Sequence, residues 1–141
     1  MEERPDASTG YLLARLGAES RRRWARMLAE HQLAPHHLAV LMSLGHVGPV
    51  HQQRVSALIG VDPRNTVAVV DLLQRRGLVE RAVDPGDRRR NTVTLTADGV
   101  DLLTRLREQV DAVEDVLLGG LPGHERELLH GLLSRLADTL P

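Results

Sequence analysis

Cysteine is missing from the 141-residue chain, and with it go disulfides, thiolate metal sites and thiol redox sensing. Phenylalanine is missing too, and only one Trp and one Tyr are present, too few rings to stack successive unpaired bases as single-strand binders do. Lysine is absent, so all 18 basic residues are arginine, whose planar fork suits bidentate contacts to phosphate and guanine. No apolar run approaches the roughly 20 residues of a bilayer-spanning helix. The start, MEERPDASTG, is polar and acidic and lacks the apolar core of a secretion signal. A cytoplasmic protein with a single domain over 1–141 is expected.

What is present is unevenly charged. The net charge of −1 says little about partners. Residues 51–92, however, carry eight arginines against five acids, whereas residues 93–141 carry four against nine. A polyanion would meet the middle of this chain, not its tail.

Apolar spacing is helical over most of the length. Leu13, Leu16, Trp24 and Met27 mark a helix over 11–30. Leu38, Leu41, Met42 and Gly45 mark another over 35–45, entered at Pro35 and stopped before Gly48-Pro49. A short helix over 51–59 directs Val55, Leu58 and Ile59 inward. After the tight turn Gly60-Val61, Asp62 as N-cap and Pro63 as first helical residue begin a helix that runs to Arg76. Its inner stripe is Thr66, Val69, Val70 and Leu73, which leaves Arg64, Asn65, Val67 and Ala68 facing out. Two helices joined by a short glycine-containing turn form a helix-turn-helix.

Leu78–Val83 and Asn91–Leu95 then read as the two strands of a hairpin, with DPGDRRR as the turn between them. This is a wing. Thr96 can cap a long helix in which Leu103, Leu106, Val110, Val113 and Leu117 recur in coiled-coil-like steps. A last helix over about 123–139 carries Leu128, Leu129, Leu132, Leu133 and Leu136. The expected fold is mainly α with a small β-hairpin wing (α+β): a winged helix-turn-helix lobe over 35–96, flanked by dimerisation helices over 11–30 and 97–140. Leu13, Leu16, Leu117, Leu128, Leu132 and Leu136 are the candidate dimer residues, because a small monomer offers nowhere else to bury them.

Arg64 and Asn65 stand at the N-terminal end of the second helix, and their side-chain types read guanine and adenine edges in a major groove that admits one helix. Val67 and Ala68 share that outward surface. Gln52, Gln53 and Arg54 open the preceding helix, where phosphate contacts are made. Arg88, Arg89 and Arg90 are placed for phosphates or a neighbouring minor groove, with Asp87 bracing an arginine or the turn. A triple arginine alone is commonly just a solvated run. The order helix, glycine turn, capped helix, basic hairpin and zipper-like helix points to double-stranded DNA.

The residues RRGLVER at 75–81, DPGDRRR at 84–90 and VTLTADG at 93–99 resemble the wing and flanks of the MarR family of regulators, and LAPHHLAVLMSL at 33–44 and QQRVSALIGVD at 52–62 fit more loosely. The resemblance covers nearly the whole length. It implies a homodimer on a pseudo-palindromic operator, usually as a repressor, with Asp87 as the bracing acid and Arg89 as the arginine that enters the minor groove. Two departures stand out. Ala34 replaces the family's frequent Thr or Ser cap, so the 35–45 helix should be less well capped. Asp62-Pro63-Arg64-Asn65 stands where many relatives have serines or threonines, which implies a different operator.

Many relatives also bind small aromatic or phenolic ligands between the dimer helices and the lobe and then release DNA. Trp24, flanked by Arg23 and Arg26, and His36 and His37 are the candidate lining here, although a packing role for Trp24 competes. No metal site or cofactor is expected: His36 and His37 are adjacent and cannot face one another on a helix, and no cysteine helps. Nor is an enzyme, since no nucleophile elbow, phosphate loop or H-E-x-x-H is present. The alternative is a winged-helix module that meets an acidic protein through its wing.

Overall fold

The computed structural model describes residues 8–141. Six helices and a small sheet follow in the order α1 (Thr9–Ala29), α2 (Pro35–Val47), β1 (Val50–His51), α3 (Gln52–Ile59), α4 (Pro63–Arg75), β2 (Val79–Asp84), β3 (Asp87–Leu95), α5 (Ala97–Leu117) and α6 (Gly123–Ala137). The core joins α1, α2, α3, α4, the sheet and the first half of α5 through Leu28, Leu38, Leu41, Val55, Val70, Leu73, Val93 and Leu106, all essentially inaccessible to water.

Local chemistry explains where the elements begin. Ser8 accepts the Tyr11 N–H, so α1 starts slightly earlier than the apolar spacing indicates. At α2 Ala34 offers no side-chain acceptor, but the Nδ1 of His37 accepts the Ala34 N–H at 2.8 Å, the back half of a capping box. The first helical N–H groups have no side-chain acceptor at Ala34, so this end of α2 is less well capped, as expected, and His37 offsets only part of the loss. Gly60 closes α3 in the left-handed region at φ 67°, which sets the helix-turn-helix angle. Asp62 then opens α4, its Oδ1 accepting the Arg64 N–H at 2.8 Å.

The sheet has three antiparallel strands, not the two of a simple hairpin. The added strand, β1, pairs Val50 with Val93 and His51 with Thr92, while β2 pairs Arg81 with the other side of Val93. The arginines are also not in the turn, which is only Pro85-Gly86. Val83 pairs with Asn91 and Asp84 with Asp87, so Arg88, Arg89 and Arg90 lie on β3 in a bulge with no facing residue on β2. Bulges re-aim side chains and sharpen local twist.

Inward spacing is mostly as expected, with two exceptions. Met42 and Leu58 are exposed, and α2 uses Val40 and Leu44 in the core instead. Helix α5 has two duties. Leu102, Leu103, Leu106 and Val110 are buried within the lobe, and only its second half, with half-buried Val113 and Leu117, runs clear.

Candidate nucleic-acid interface

The most outward part of α4 is its first two turns. Arg64 extends with 94% of its side chain exposed, because Asp62 engages its backbone N–H and leaves the guanidinium 3.8 Å away, a loose contact. Asn65, Val67 and Ala68 are exposed beside it, opposite the buried Thr66, Val70 and Leu73. Gln53 and Arg54 are exposed on the first turn of α3, and Arg88, Arg89 and Arg90 on the wing.

Two sets of residues far apart in sequence come together. His51, Gln52 and Gln53 from the start of α3 and Arg89, Arg90 and Asn91 from β3 line one cleft of about 100 Å³. Its wing side is arranged by Asp87, whose Oδ1 accepts the Arg89 N–H at 3.0 Å and whose Oδ2 lies 3.6 Å from Arg90 Nε. Arg88 and Arg89 make no ion pair among the described residues. An anion approaching this cleft meets the unpaired guanidinium of Arg89 and the first N–H groups of α3, which no side chain caps.

One participant was not anticipated. Arg81 on β2 is mostly buried and bonds Gln52, Asp71, Gln74 and the Val67 carbonyl. Gln52 is thus held by its Oε1 within the protein and presents only its amide nitrogen and backbone outward. An arginine in an alternating strand reads as solvent-facing. Only the acidic and amide spacing of Asp71 and Gln74 on one side of α4 hinted otherwise.

Trp24 packs half-buried against the core with Nε1 shielded from water and unpartnered, His37 is the α2 cap, and His36 is exposed. Burial, then the charges of Arg76 and His36, hold His37 below the usual imidazole range. Leu13, Leu16, Leu128, Leu132 and Leu136 are all exposed in the single chain, while Leu117 lines a cavity of about 450 Å³ with Leu118, Leu129 and Leu133 between α5 and α6.

A capped α4, a glycine turn before it and a three-stranded wing with a basic bulge define a winged helix-turn-helix protein. The MarR family model matches residues 31–90. The HTH-type transcriptional repressor NicR of Pseudomonas putida is 28% identical over 92% of this chain and 82% of its own. The PcaV transcriptional regulator of Streptomyces coelicolor, solved with its natural ligand, is 31% identical with TM-score 0.77 over 99% of both chains. Bordetella bronchiseptica BpsR, whose DNA binding is regulated by 6-hydroxynicotinic acid, is 27% identical with TM-score 0.80 over 92% of this chain and 98% of its own. The chain belongs to the MarR family of transcriptional regulators. No helix among the described residues is long and apolar enough to cross a membrane.

Proposed function

We propose that the protein is a homodimeric, sequence-specific binder of double-stranded DNA that acts as a repressor on a pseudo-palindromic operator and is released by a small aromatic or phenolic ligand. The observation that carries the DNA reading is the cleft in which Gln52 and Gln53 meet Arg89 and Arg90, in a lobe whose α4 exposes Arg64 and Asn65. Arg64 and Asn65 read base edges, Val67 and Ala68 offer apolar contact to thymine methyls, and Gln53, Arg54, Arg88 and Arg90 hold phosphates. Arg89 enters the minor groove, with Asp87 as its brace. Gln52 contributes through its backbone and amide nitrogen.

Support for the dimer comes from α6. It buries none of its residues in the single chain, yet it carries Leu128, Leu132 and Leu136 with 63%, 46% and 56% of their surface exposed. Fully burying one such leucine stabilises by about 1.5–3 kcal/mol, and a two-fold interface counts each twice. The exposed Leu13 and Leu16 of α1 belong to the same interface, with Leu117 at its edge.

The effector reading rests on relatives such as BpsR and its 6-hydroxynicotinic acid. Trp24, His36 and His37 are the proposed lining, and the unpartnered, water-shielded Nε1 of Trp24 is the feature that favours Trp24 among them. The whole reading is tested by titrating the protein into duplex from upstream of its own gene and into a scrambled duplex, over a salt series. Salt-dependent binding with marked preference for the first supports it. Salt-dependent binding with no preference leaves only a basic surface, and no duplex binding favours the protein-interaction alternative.

A further inference from the structure

Arg81 is a side chain that ties β2 to both helices of the helix-turn-helix. It rises from β2, in the row where Arg81 and Val50 flank Val93 across the three strands. Its side chain is only 17% exposed. Nε donates to Gln52 Oε1 at 2.6 Å on the first residue of α3. Nη1 donates to Asp71 Oδ1 and to Gln74 Oε1, and Nη2 donates to the Val67 carbonyl at 3.3 Å, all three on α4. A guanidinium has five N–H donors in a fixed fork, so its plane dictates where its acceptors stand.

Two consequences follow from this geometry. The Arg81 charge is paired with Asp71 and turned inward, so it is withdrawn from phosphate, unlike the neighbouring Arg88 and Arg89. The acceptor on Val67 is a main-chain oxygen in the middle of the exposed stretch of α4, so the bond fixes the helix itself and not merely a side chain. The base of the wing is paired on both sides of β3, and His51 Nε2 lies 3.4 Å from Asp84 Oδ2, but at the tip the bulge at Arg88–Arg90 has no partner on β2 and the turn residues Pro85 and Gly86 are exposed.

We propose that Arg81 is a positioning residue that sets the wing at a fixed place relative to α3 and α4, so that base-reading and backbone contacts engage one duplex together. This rests on the DNA-binding reading above. Arg81 touches no DNA in this account; it acts through Val67, Asp71, Gln74 and Gln52.

The test is a double-mutant cycle on operator affinity between Arg81→Lys and Arg88→Ala. Lysine keeps the charge and would serve a phosphate contact well, but it cannot bridge four acceptors. Arg81→Lys is expected to weaken operator binding at least about fivefold, the size of one lost hydrogen-bonded contact. Arg88→Ala, which weakens the native protein, should then cost distinctly less in the Arg81→Lys background, because a displaced wing has already lost its phosphate; a residue that supports only global stability produces no such coupling. Full operator affinity in Arg81→Lys, or strictly additive losses, would overturn the proposal. Asp71→Asn, which keeps the arginine and the shape of its acceptor, runs the same cycle if Arg81→Lys fails to fold. Hydrogen exchange of the β3 amides without DNA provides a third arm: it should speed up in both variants, and unchanged exchange overturns the tie. Failure of the native protein to bind any duplex would instead mark failure of the DNA reading.

Discussion

Asp87 Oδ1 accepts the backbone N–H of Arg89 at 3.0 Å, which ties the first residue of β3 to the middle of the arginine bulge. The bond is local and half-exposed, so it does little for global stability and much for where three guanidinium groups point. Asp87→Ala should weaken operator binding by about 1 kcal/mol, or roughly fivefold, while thermal unfolding barely moves. Affinity and melting measured on the same sample check this. An undisturbed affinity would show that the bulge holds itself.

The dimer prediction concerns α6. A charge at Leu132, as in Leu132→Glu, places carboxylates in an interface that two copies would share, where unpaired charges are costly. Light scattering should report a monomer, and operator affinity should fall with it because two half-sites are no longer held together. A variant that stays dimeric would rule out the terminal-helix interface.

Gly99 stands where α5 passes the turn after α4. A Cβ at this position would lie 2.0 Å from the Leu78 carbonyl oxygen, which is main chain and cannot swing aside. The same corner is pinned by Thr96, whose Oγ1 donates to Gly77 O at 2.6 Å and accepts the Gly99 N–H at 3.0 Å. Gly99→Ala should therefore destabilise by about 3 kcal/mol in chemical denaturation, at the upper end for overpacking. A cost near zero would mean that α5 shifts freely here.

His37 supplies a pH dependence. Its folded pKa lies below that of the unfolded chain, chiefly through burial and then through Arg76 and His36, so the unfolded state binds more protons in this range. The contribution is complete above an unfolded pKa of about 6.5 and is lost as pH falls through the folded value. Accepting the Ala34 N–H also requires the neutral ring. His37→Gln retains an acceptor for the cap but does not titrate. Melting temperature followed downward from neutral pH should fall more gently in that variant than in the native protein. Parallel curves would contradict the role given to His37.

The helices were legible because their signals are local. Asp62-Pro63, Thr96 and the glycine at 60 mark boundaries by backbone chemistry that needs no tertiary partner. Strand β1 was not legible: two residues carry no periodicity, and Val50-His51 is a strand only because Val93 and Thr92 lie beside it. The bulge escaped for the same reason, since it is a mismatch of register between two strands. Arg81 was missed because its acceptors stand at positions 52, 67, 71 and 74, on other elements. The His37 cap could have been found, as its place three residues after Ala34 is that of the glutamine or glutamate in a capping box.

The central claim is that α4 reads bases while the wing holds backbone. It is measured by the ratio of affinities for the operator and for an operator with one altered base pair in each half-site, in the native protein and in Arg64→Ala. At a base pair that Arg64 reads, the native protein should discriminate by about 1–3 kcal/mol, and Arg64→Ala should lose most of that ratio. If Arg64→Ala binds all duplexes more weakly but keeps the full ratio at every position, Arg64 is a phosphate contact and the account of α4 is wrong.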